Sequence, residues 1–193
     1  MNKLILVSGK KETGKSTFSE LIKLVDNPFI NLSYARKLKI ASYYIMKYVL
    51  LCNITLDHFY DVNMKKKAVK IFRIGPKITT RTFLQWFGTN VVRKIYELFW
   101  VSLLVKDMKK KYINKNIIID DVRFPNEIEY TKEKLEKYFD ITTIRINRDL
   151  PYTDTHISET ALDDYKDFNY FVDNNGTLSS LDKKVKKILK EIN

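Results

Sequence analysis

A phosphate-binding motif near the N-terminus constrains the fold of this chain more than any other feature. Residues 9–16 read Gly-Lys-Lys-Glu-Thr-Gly-Lys-Ser, which fits the pattern G-x-x-x-x-G-K-[ST]. The motif directly follows an apolar run at 4–7 and directly precedes a helical stretch at 17–25. A buried strand, a glycine loop and a helix N-terminus in that order surround an anion with backbone N–H groups and the positive end of a helix dipole. The sequence therefore predicts a nucleoside triphosphate site.

The last two residues of the motif carry its specific chemistry. We expect Lys15 to reach the β- and γ-phosphates and Ser16 to ligate Mg²⁺. The alternative, a turn that merely contains lysine and glycine, is disfavoured because the flanking strand and helix are both present.

Composition narrows the class of ligand without choosing it. The 193 residues contain 35 Lys and Arg against 23 Asp and Glu, a net charge of +12. This excess favours either polyphosphate substrates or nucleic acid. The single cysteine, Cys52, excludes an internal disulfide framework and is expected to pack as a small hydrophobic residue. With no signal-peptide pattern and no apolar run long enough to span a bilayer, we expect a cytoplasmic protein, in the host cytoplasm if it is viral.

Apolar runs alternate with helical patterns, which predicts an α/β domain with a parallel sheet. The strand candidates are residues 3–7, 29–32, 116–119, 141–146 and 170–172. We expect 1–193 to form a single domain whose helical excursion, about 35–110, supplies an acceptor site beyond the strand ends. Within it, 54–77 is expected to form a short helix followed by a loop or hairpin, and Gly88 and Thr89 are expected to interrupt a long helix.

Acidic residues follow the third strand candidate, where the sequence reads Asp120-Asp121-Val122-Arg123. An acid at a strand end suits the Mg²⁺-side carboxylate of phosphate-binding loops. We predict Asp121 for that role, with Asp120 as the competing choice, and a functional role for Arg123. The alternative is a strand exit in which Asp only forms a turn.

Arg145 and Arg148 close the fourth strand candidate and precede a polar stretch at 149–159. This pattern predicts a short lid, about 148–160, that brings an arginine over the transferring phosphates. We expect His156 to orient the lid or cap a helix, because an acceptor that is already a phosphate needs no general base. After the last strand candidate, Asn175 and Gly176 predict a tight turn, with Thr177 capping the next helix.

Polar residues of the excursion are candidates for binding the acceptor. Arg81, Gln85 and Arg93 are spaced to share one helical face. A guanidinium group binds phosphate through two hydrogen bonds, and a glutamine can read a base edge. An ordinary solvated face is the alternative. Trp86 and Trp100 are predicted to be core residues.

Several blocks of sequence, in this order, resemble the phage-type deoxynucleoside monophosphate kinases. They are the phosphate loop at 8–16, Phe-Leu-Gln-Trp-Phe-Gly-Thr at 83–89 with Arg93 and Trp100, Asp-Val-Arg-Phe-Pro-Asn-Glu at 121–127, His-Ile-Ser-Glu at 156–159, and Asn-Asn-Gly-Thr-Leu at 174–178. One block departs from the family pattern, because Arg36 stands where the family has an acid.

The resemblance implies a P-loop kinase core with a five-stranded parallel sheet flanked by helices, a helical acceptor-binding excursion and a short lid. The reaction would move the γ-phosphoryl group of ATP to the 5′-phosphate of a (deoxy)nucleoside monophosphate. Residues implied to hold ATP and Mg²⁺ are Gly9, Lys11, Thr13, Gly14, Lys15, Ser16 and Thr17, with Asp121 on the metal side and Asn175 and Gly176 at the adenine. Lys15, Arg123 and Arg148 are implied in catalysis, and Lys39, Arg81, Gln85 and Arg93 in acceptor binding.

Three functions remain open from the sequence. The first is the nucleotide kinase, acting on small-molecule substrates with no membrane or nucleic-acid partner, and with a homodimer left open. The second is a P-loop kinase of another phosphorylated metabolite, such as phosphomevalonate or dephospho-coenzyme A. The third is a basic nucleic-acid-binding ATPase, which the scattered lysines disfavour because such proteins combine clustered cations with exposed aromatic rings.

Overall fold

The computed structural model describes residues 1–25, 29–151 and 154–192. The strands in chain order are β1 (Asn2–Gly9), β2 (Ile30–Leu32), β3 (Ala68–Lys70), β4 (Lys77–Thr79), β5 (Ile117–Val122), β6 (Phe139–Asn147) and β7 (Tyr170–Asp173). The α-helices are α1 (Lys15–Val25), α2 (Arg36–Tyr44), α3 (Thr80–Gln85), α4 (Phe99–Lys111), α5 (Pro125–Leu135), α6 (Ile157–Thr160) and α7 (Leu178–Ile192). Two π-helical segments, Ile45–Val49 and Trp86–Arg93, directly follow α2 and α3.

The chain divides into two compact units. The core unit comprises Met1–Tyr34 and Val101–Asn193, and the insert unit comprises Ala35–Trp100. The insert unit falls within the predicted excursion of about 35–110. The description of 1–193 as a single domain remains a prediction.

The core unit contains a five-stranded parallel sheet with the strand order β2-β5-β1-β6-β7. Its central strand β1 is apolar and buried from Leu4 to Val7, as expected for a parallel strand covered on both faces. Leu4 is in register with Ile117 of β5 and Ile141 of β6. The carboxyl ends of these neighbours therefore meet at the edge where the phosphate loop begins. The predicted α/β fold with five parallel strands is confirmed.

Helices α1 and α7 bury their apolar faces in one core cluster. Phe18 of α1 and Val185 of α7 pack with Ile5, Val7 and Val172 of the sheet. The last helix begins as predicted, since the Ser180 N–H donates to the Thr177 hydroxyl at 3.2 Å. The first helix is thereby held with its N-terminus at the exit of β1, where the phosphate loop leads into it.

The insert unit has a separate cluster of buried side chains, which includes Met46, Cys52, Phe59 and Phe83. Cys52 packs as a small hydrophobic residue, as predicted. Residues 54–77 form short 3₁₀ helices followed by the β3–β4 hairpin, and this prediction is also confirmed.

Gly88 does not interrupt the helical run, and this prediction was wrong. The glycine lies inside the π-helical segment Trp86–Arg93, and the chain leaves helical structure at 96–98 instead. A Cβ on Gly88 would lie 2.5 Å from Cδ2 of Leu38, so the glycine serves close packing rather than a helix break. Its carbonyl also accepts a hydrogen bond from Trp100 Nε1 at 3.1 Å.

The two tryptophans differ in burial. Trp100 is 7% exposed, as predicted, whereas Trp86 is 50% exposed and is not a core residue. The Trp86 ring still contacts Phe83, with 5.7 Å between ring centres. In the described part of the chain, no helix is long and apolar enough to cross a membrane.

Candidate active site

The phosphate loop closes on itself between β1 and α1. The Lys10 carbonyl accepts hydrogen bonds from the Thr13 hydroxyl at 2.9 Å and from Lys15 Nζ at 2.5 Å. A Cβ on Gly9 would lie 2.6 Å from the Ile146 carbonyl oxygen, so no larger residue fits there. Contacts within the loop and with the end of β6 therefore define its shape.

The second glycine of the motif is required by its conformation. Gly14 has φ +95°, in the left-handed region that favours glycine, and a Cβ there would collide with the side chain of Asn174. Asn174 in turn donates to the Thr13 carbonyl at 2.8 Å. The exit of β7 thus packs against the phosphate loop through Asn174, one residue before the predicted Asn175.

Lys15 lies in an environment that opposes its positive charge. Burial, and next the charge of Arg123, lower the pKa of Lys15 to about 7, although Glu159 and Asp120 act in the opposite direction. A second guanidinium, Arg145, adds to the lowering. An anionic ligand would relieve this repulsion, so the electrostatics fit a bound polyphosphate.

Both the backbone and the side chain of Arg123 are held in place by hydrogen bonds. Its backbone N–H donates to Glu127 Oε2 at 2.7 Å, and the next residue, Phe124, donates to the same oxygen at 3.1 Å. Its guanidinium Nη1 donates to the Gly9 carbonyl at 3.3 Å and to Glu159 Oε2 at 2.7 Å. The structure therefore brings Arg123 and Lys15 together.

The two adjacent acids of β5 have different surroundings. Both oxygens of Asp121 accept hydrogen bonds from the exit of β2, at 2.6 Å from the Ser33 hydroxyl and 3.0 Å from the Tyr34 N–H. Burial, and next the charge of Asp121, raise the pKa of Asp120, while Lys15 lowers it. Asp120 therefore interacts electrostatically with the catalytic lysine candidate, and Asp121 ties two strand ends together.

Beneath the loop, Arg145 forms a second network. Its Nη1 donates to the Ser8 hydroxyl at 2.9 Å, and its Nη2 pairs with Asp163 Oδ1 at 3.1 Å. The other oxygen of Asp163 pairs with Lys10 Nζ at 2.8 Å. Arg145 thus links the loop to the segment that follows α6.

A cavity of about 410 Å³ opens beside this network. Its lining combines cations with aromatic rings and includes Lys10, Arg145, Arg148, Tyr165, Lys166 and Phe171. The predicted catalytic residue Arg148 is exposed at this rim. The carboxylates of Asp149 and Asp163 also line the cavity, so its charge is mixed rather than purely positive.

The predicted lid is described except for residues 152 and 153, which lie outside the described residues. His156 caps α6, where its Nδ1 accepts from the Ser158 N–H at 3.2 Å, as predicted. The side-chain amide of Asn175 forms two hydrogen bonds with Asp149. Its Oδ1 accepts from the Asp149 backbone N–H at 2.7 Å, and its Nδ2 donates to Asp149 Oδ2 at 2.7 Å. The predicted adenine contacts of Asn175 and Gly176 remain predictions.

The predicted acceptor residues lie in the insert unit. Arg81 and Gln85 are in α3, Arg93 ends the following π-helical segment, and Lys39 Nζ lies 4.7 Å from the centre of the Tyr60 ring. A π-helix bonds each residue to the fifth one along the chain, so α-helical spacing alone does not define the relative directions of Gln85 and Arg93. Their shared role remains a prediction.

The sequence analysis missed several residues that shape the site. Glu159, Asp163 and Asn174 contact loop residues from far along the chain, as in the bond from Lys11 N–H to Glu159 at 3.1 Å. The local signals were the family-like blocks at 156–159 and 174–178, which contain Glu159 and Asn174, and one pair of acids four residues apart, Glu159 and Asp163. Such a pair is also typical of a solvated helix face.

No group of three or more His, Cys, Asp and Glu that could hold a metal occurs within 1–25, 29–151 and 154–192. A nucleotide-bound Mg²⁺ takes one or two protein ligands and fills its shell with phosphate oxygens and water. Ser16 and one acid of β5 would therefore fit the small protein donor set that such an ion takes.

Comparisons with known proteins agree with the geometry. The family model described as deoxynucleotide monophosphate kinase matches residues 31–185. A protein of Acanthamoeba polyphaga mimivirus, provisionally named a deoxynucleotide monophosphate kinase, is 29% identical over 188 residues, covering 91% of this chain and 90% of the relative. The uncharacterized protein ORF77 of Ictalurid herpesvirus 1 (strain Auburn) is 28% identical over 138 residues, covering 68% of this chain and 58% of the relative.

Among solved structures, an unliganded sugar kinase from Janibacter sp. HTCC2649 matches with a TM-score of 0.51 at 9% identity, covering 98% of this chain and 95% of that one. At this identity the likeness shows the fold alone, a kinase fold. The family match covers most of the chain and selects the first of the three functions open from the sequence. The chain belongs to the deoxynucleotide monophosphate kinase family, and it is a kinase of nucleoside monophosphates.

Proposed function

We propose that the loop at 9–16 binds the triphosphate of ATP with its γ-phosphoryl group at Lys15 and Arg123, and that this group passes to the 5′-phosphate of a deoxynucleoside monophosphate. One observation carries the proposal. Lys15 lies at the N-terminus of α1 near Arg123 and Arg145, and its partial burial, followed by the charge of Arg123, lowers its pKa to about 7. A transferring phosphoryl group supplies the missing negative charge.

The chemistry asks little of the protein beyond position and charge. The attacking oxygen of an acceptor phosphate is already anionic, so no residue has to remove a proton. Lys15 and Arg123 would hold the equatorial oxygens of the transferring group, and Arg148 would add charge from the lid. When bound at Ser16 and an acid of β5, Mg²⁺ would neutralise charge on the β- and γ-phosphate oxygens.

For the metal-side acid, the contacts favour Asp120 over Asp121. Asp121 accepts hydrogen bonds from Ser33 and Tyr34 through both oxygens, whereas Asp120 is hydrogen-bonded to the Asn31 side chain and interacts with Lys15. Burial and the charge of Asp121 raise the pKa of the partly buried Asp120, and a nearby cation would offset both effects. We therefore assign the Mg²⁺-side role to Asp120 and a structural role to Asp121.

The matched pair Asp120→Asn and Asp121→Asn tests this assignment. We expect Asp120→Asn to raise the Mg²⁺ concentration needed for half-maximal activity by about tenfold to a hundredfold. We expect Asp121→Asn to lower the midpoint of thermal unfolding with a smaller change in Mg²⁺ dependence. The reverse pattern in Mg²⁺ titrations of activity would restore Asp121 as the metal-side acid.

The acceptor is proposed to bind the insert unit, with Arg93 on its phosphate and Gln85 at its base. Arg93→Ala should raise KM for every deoxynucleoside monophosphate alike, by about tenfold or more, because the phosphate is common to all. Gln85→Ala should instead change the ranking of bases, since an unpaired polar edge discriminates strongly. The measurement is a KM panel over deoxy- and ribonucleoside monophosphates.

Lys94→Ala is the matched control for this panel, because Lys94 is exposed and directly follows Arg93. It should leave the panel unchanged. If Arg93→Ala and Gln85→Ala also leave acceptor kinetics unchanged, the acceptor binds other residues.

For the donor base, we retain Asn175 and Gly176 as adenine contacts, made through their backbone. The Asn175 side chain is engaged with Asp149, and its backbone N–H donates to Asp173 Oδ1 at 2.9 Å. The Asn175 carbonyl and the Gly176 peptide group are therefore the parts proposed to meet a base edge. As a nucleotide kinase, the protein acts on small-molecule substrates. We further propose that it works in the host cytoplasm, since both relatives named above are viral.

A further inference from the structure

Glu159 joins two parts of the site through a single oxygen atom. Its Oε2 accepts from Arg123 Nη1 at 2.7 Å and from the Lys11 backbone N–H at 3.1 Å. The side chain is buried, since Glu159 is only 7% exposed. A buried carboxylate is stable only when paired and hydrogen-bonded, and here both conditions are met by residues that border the phosphate site.

The contact between Glu159 and Arg123 fixes the direction of the Arg123 guanidinium. Glu127 holds the backbone of Arg123, which leaves the side-chain torsions to be set by what the guanidinium meets. Both of its contacts, with Gly9 and Glu159, use Nη1. A guanidinium has five N–H donors in a planar fork, so a group fixed through one nitrogen can still present others to a phosphate.

We propose that Glu159 is a positioning residue for phosphoryl transfer, which orients Arg123 and couples it to the phosphate loop at Lys11. This inference rests on the proposed function of Arg123 at the transferring group. Glu159 itself does not touch the phosphates in this scheme. It acts through Arg123, so its removal lowers the rate of transfer more than the binding of ATP.

The neighbouring acid Asp163 offers an internal comparison. It lies four residues further along and pairs with Lys10 and Arg145, not with Arg123 in the contacts described. Both acids brace the loop from the same segment, but only Glu159 reaches the arginine at the exit of β5. A general effect on loop stability would follow from loss of either acid, whereas an effect through Arg123 would follow from loss of Glu159 alone.

A double-mutant cycle on the full chain separates these effects. Glu159→Gln preserves side-chain volume and is expected to lower kcat by about tenfold to a hundredfold, the range for a hydrogen bond to a charged group. KM for ATP should change by less than kcat. In an Arg123→Ala background, the same substitution should lower kcat by less than about threefold, because the group it positions is already gone.

Asp163→Asn is the control arm, and its effect on kcat should be the same factor with and without Arg123→Ala. Glu159→Asp keeps the negative charge and should recover part of the lost kcat. If Glu159→Gln does not bind ATP or unfolds at a lower temperature than the assay needs, Glu159→Asp takes its place in the cycle. Equal factors for Glu159→Gln in both backgrounds would overturn the positioning role. If Arg123→Ala alone leaves kcat at the wild-type value, the proposed function of Arg123 fails, and the inference falls with it.

Discussion

Lys15→Ala is expected to lower kcat/KM by about three orders of magnitude or more, comparable to loss of a preorganised charge at other transition states. Lys15 is the one lysine of the motif predicted to reach the β- and γ-phosphates. Burial, and next the charge of Arg123, lower its pKa and so disfavour its charged form. A divalent ion cannot take the place of the ammonium, so the loss should persist at saturating Mg²⁺. Steady-state kinetics against ATP measure it.

Lys11→Ala is the matched control, since this neighbouring lysine pairs with Glu12 at 3.4 Å and is expected to serve the phosphates through its backbone. Its kcat/KM should stay within a few-fold of wild type, as for a surface charge. If Lys15→Ala retains near-normal turnover, the assignment of the loop to the phosphoryl donor is wrong.

The number of protons taken up when ATP binds provides a second test of Lys15. The pKa of Lys15 is lowered to about 7 by burial and by Arg123, so above that pH the free protein holds it largely neutral. Bound phosphates favour the charged form and raise this pKa. Binding of ATP should therefore take up close to one proton at pH 8.5 and much less at pH 6, where Lys15 is already charged.

Calorimetric titrations of ATP in buffers of different ionisation enthalpy count these protons. The uptake at pH 8.5 should disappear in Lys15→Ala and remain in Lys11→Ala. Uptake that is equal in wild type and Lys15→Ala would place the titrating group elsewhere.

The features that the sequence predicted well are those encoded locally. A run such as 4–7 can only be a buried strand when a glycine loop and an amphipathic helix follow it. The same reasoning applies to the later strands, and the observed strand ends differ from the predicted ones by at most three residues, as with β6 (Phe139–Asn147) for the predicted 141–146. Helix caps at His156 and Thr177 were likewise readable, because a cap depends only on residues within one turn.

The features that could not be predicted depend on pairings across the chain. Glu159 meets Lys11 across a separation of 148 residues, and nothing near Glu159 in the sequence specifies that partner. The choice between Asp120 and Asp121 depends on which side chain the exit of β2 engages, a matter of sheet order rather than pattern. The π-helical geometry after Gln85 is equally invisible, because its apolar spacing is close to that of an α-helix.

Arg123→Lys is expected to lower kcat by about a hundredfold or more with ATP affinity little changed. Lysine keeps the positive charge but lacks the planar fork, so it cannot contact the Gly9 carbonyl and Glu159 through one nitrogen while presenting others to a phosphate. The loss therefore falls on the transition state, in which those remaining donors are used. Single-turnover rates at saturating ATP, with ATP dissociation constants measured separately, distinguish the two effects.

Arg145→Lys is the matched control for this last prediction, because Arg145 bonds to Ser8 and Asp163 beneath the loop. Its buried guanidinium has a structural role, so the substitution should lower the midpoint of thermal unfolding more than Arg123→Lys does. Arg123→Lys should therefore lose much kcat and little thermal stability, whereas Arg145→Lys should lose more thermal stability and less kcat. Wild-type turnover in Arg123→Lys would mean that charge alone suffices at the exit of β5, and that the geometry imposed by Glu127 and Glu159 serves the fold rather than the reaction.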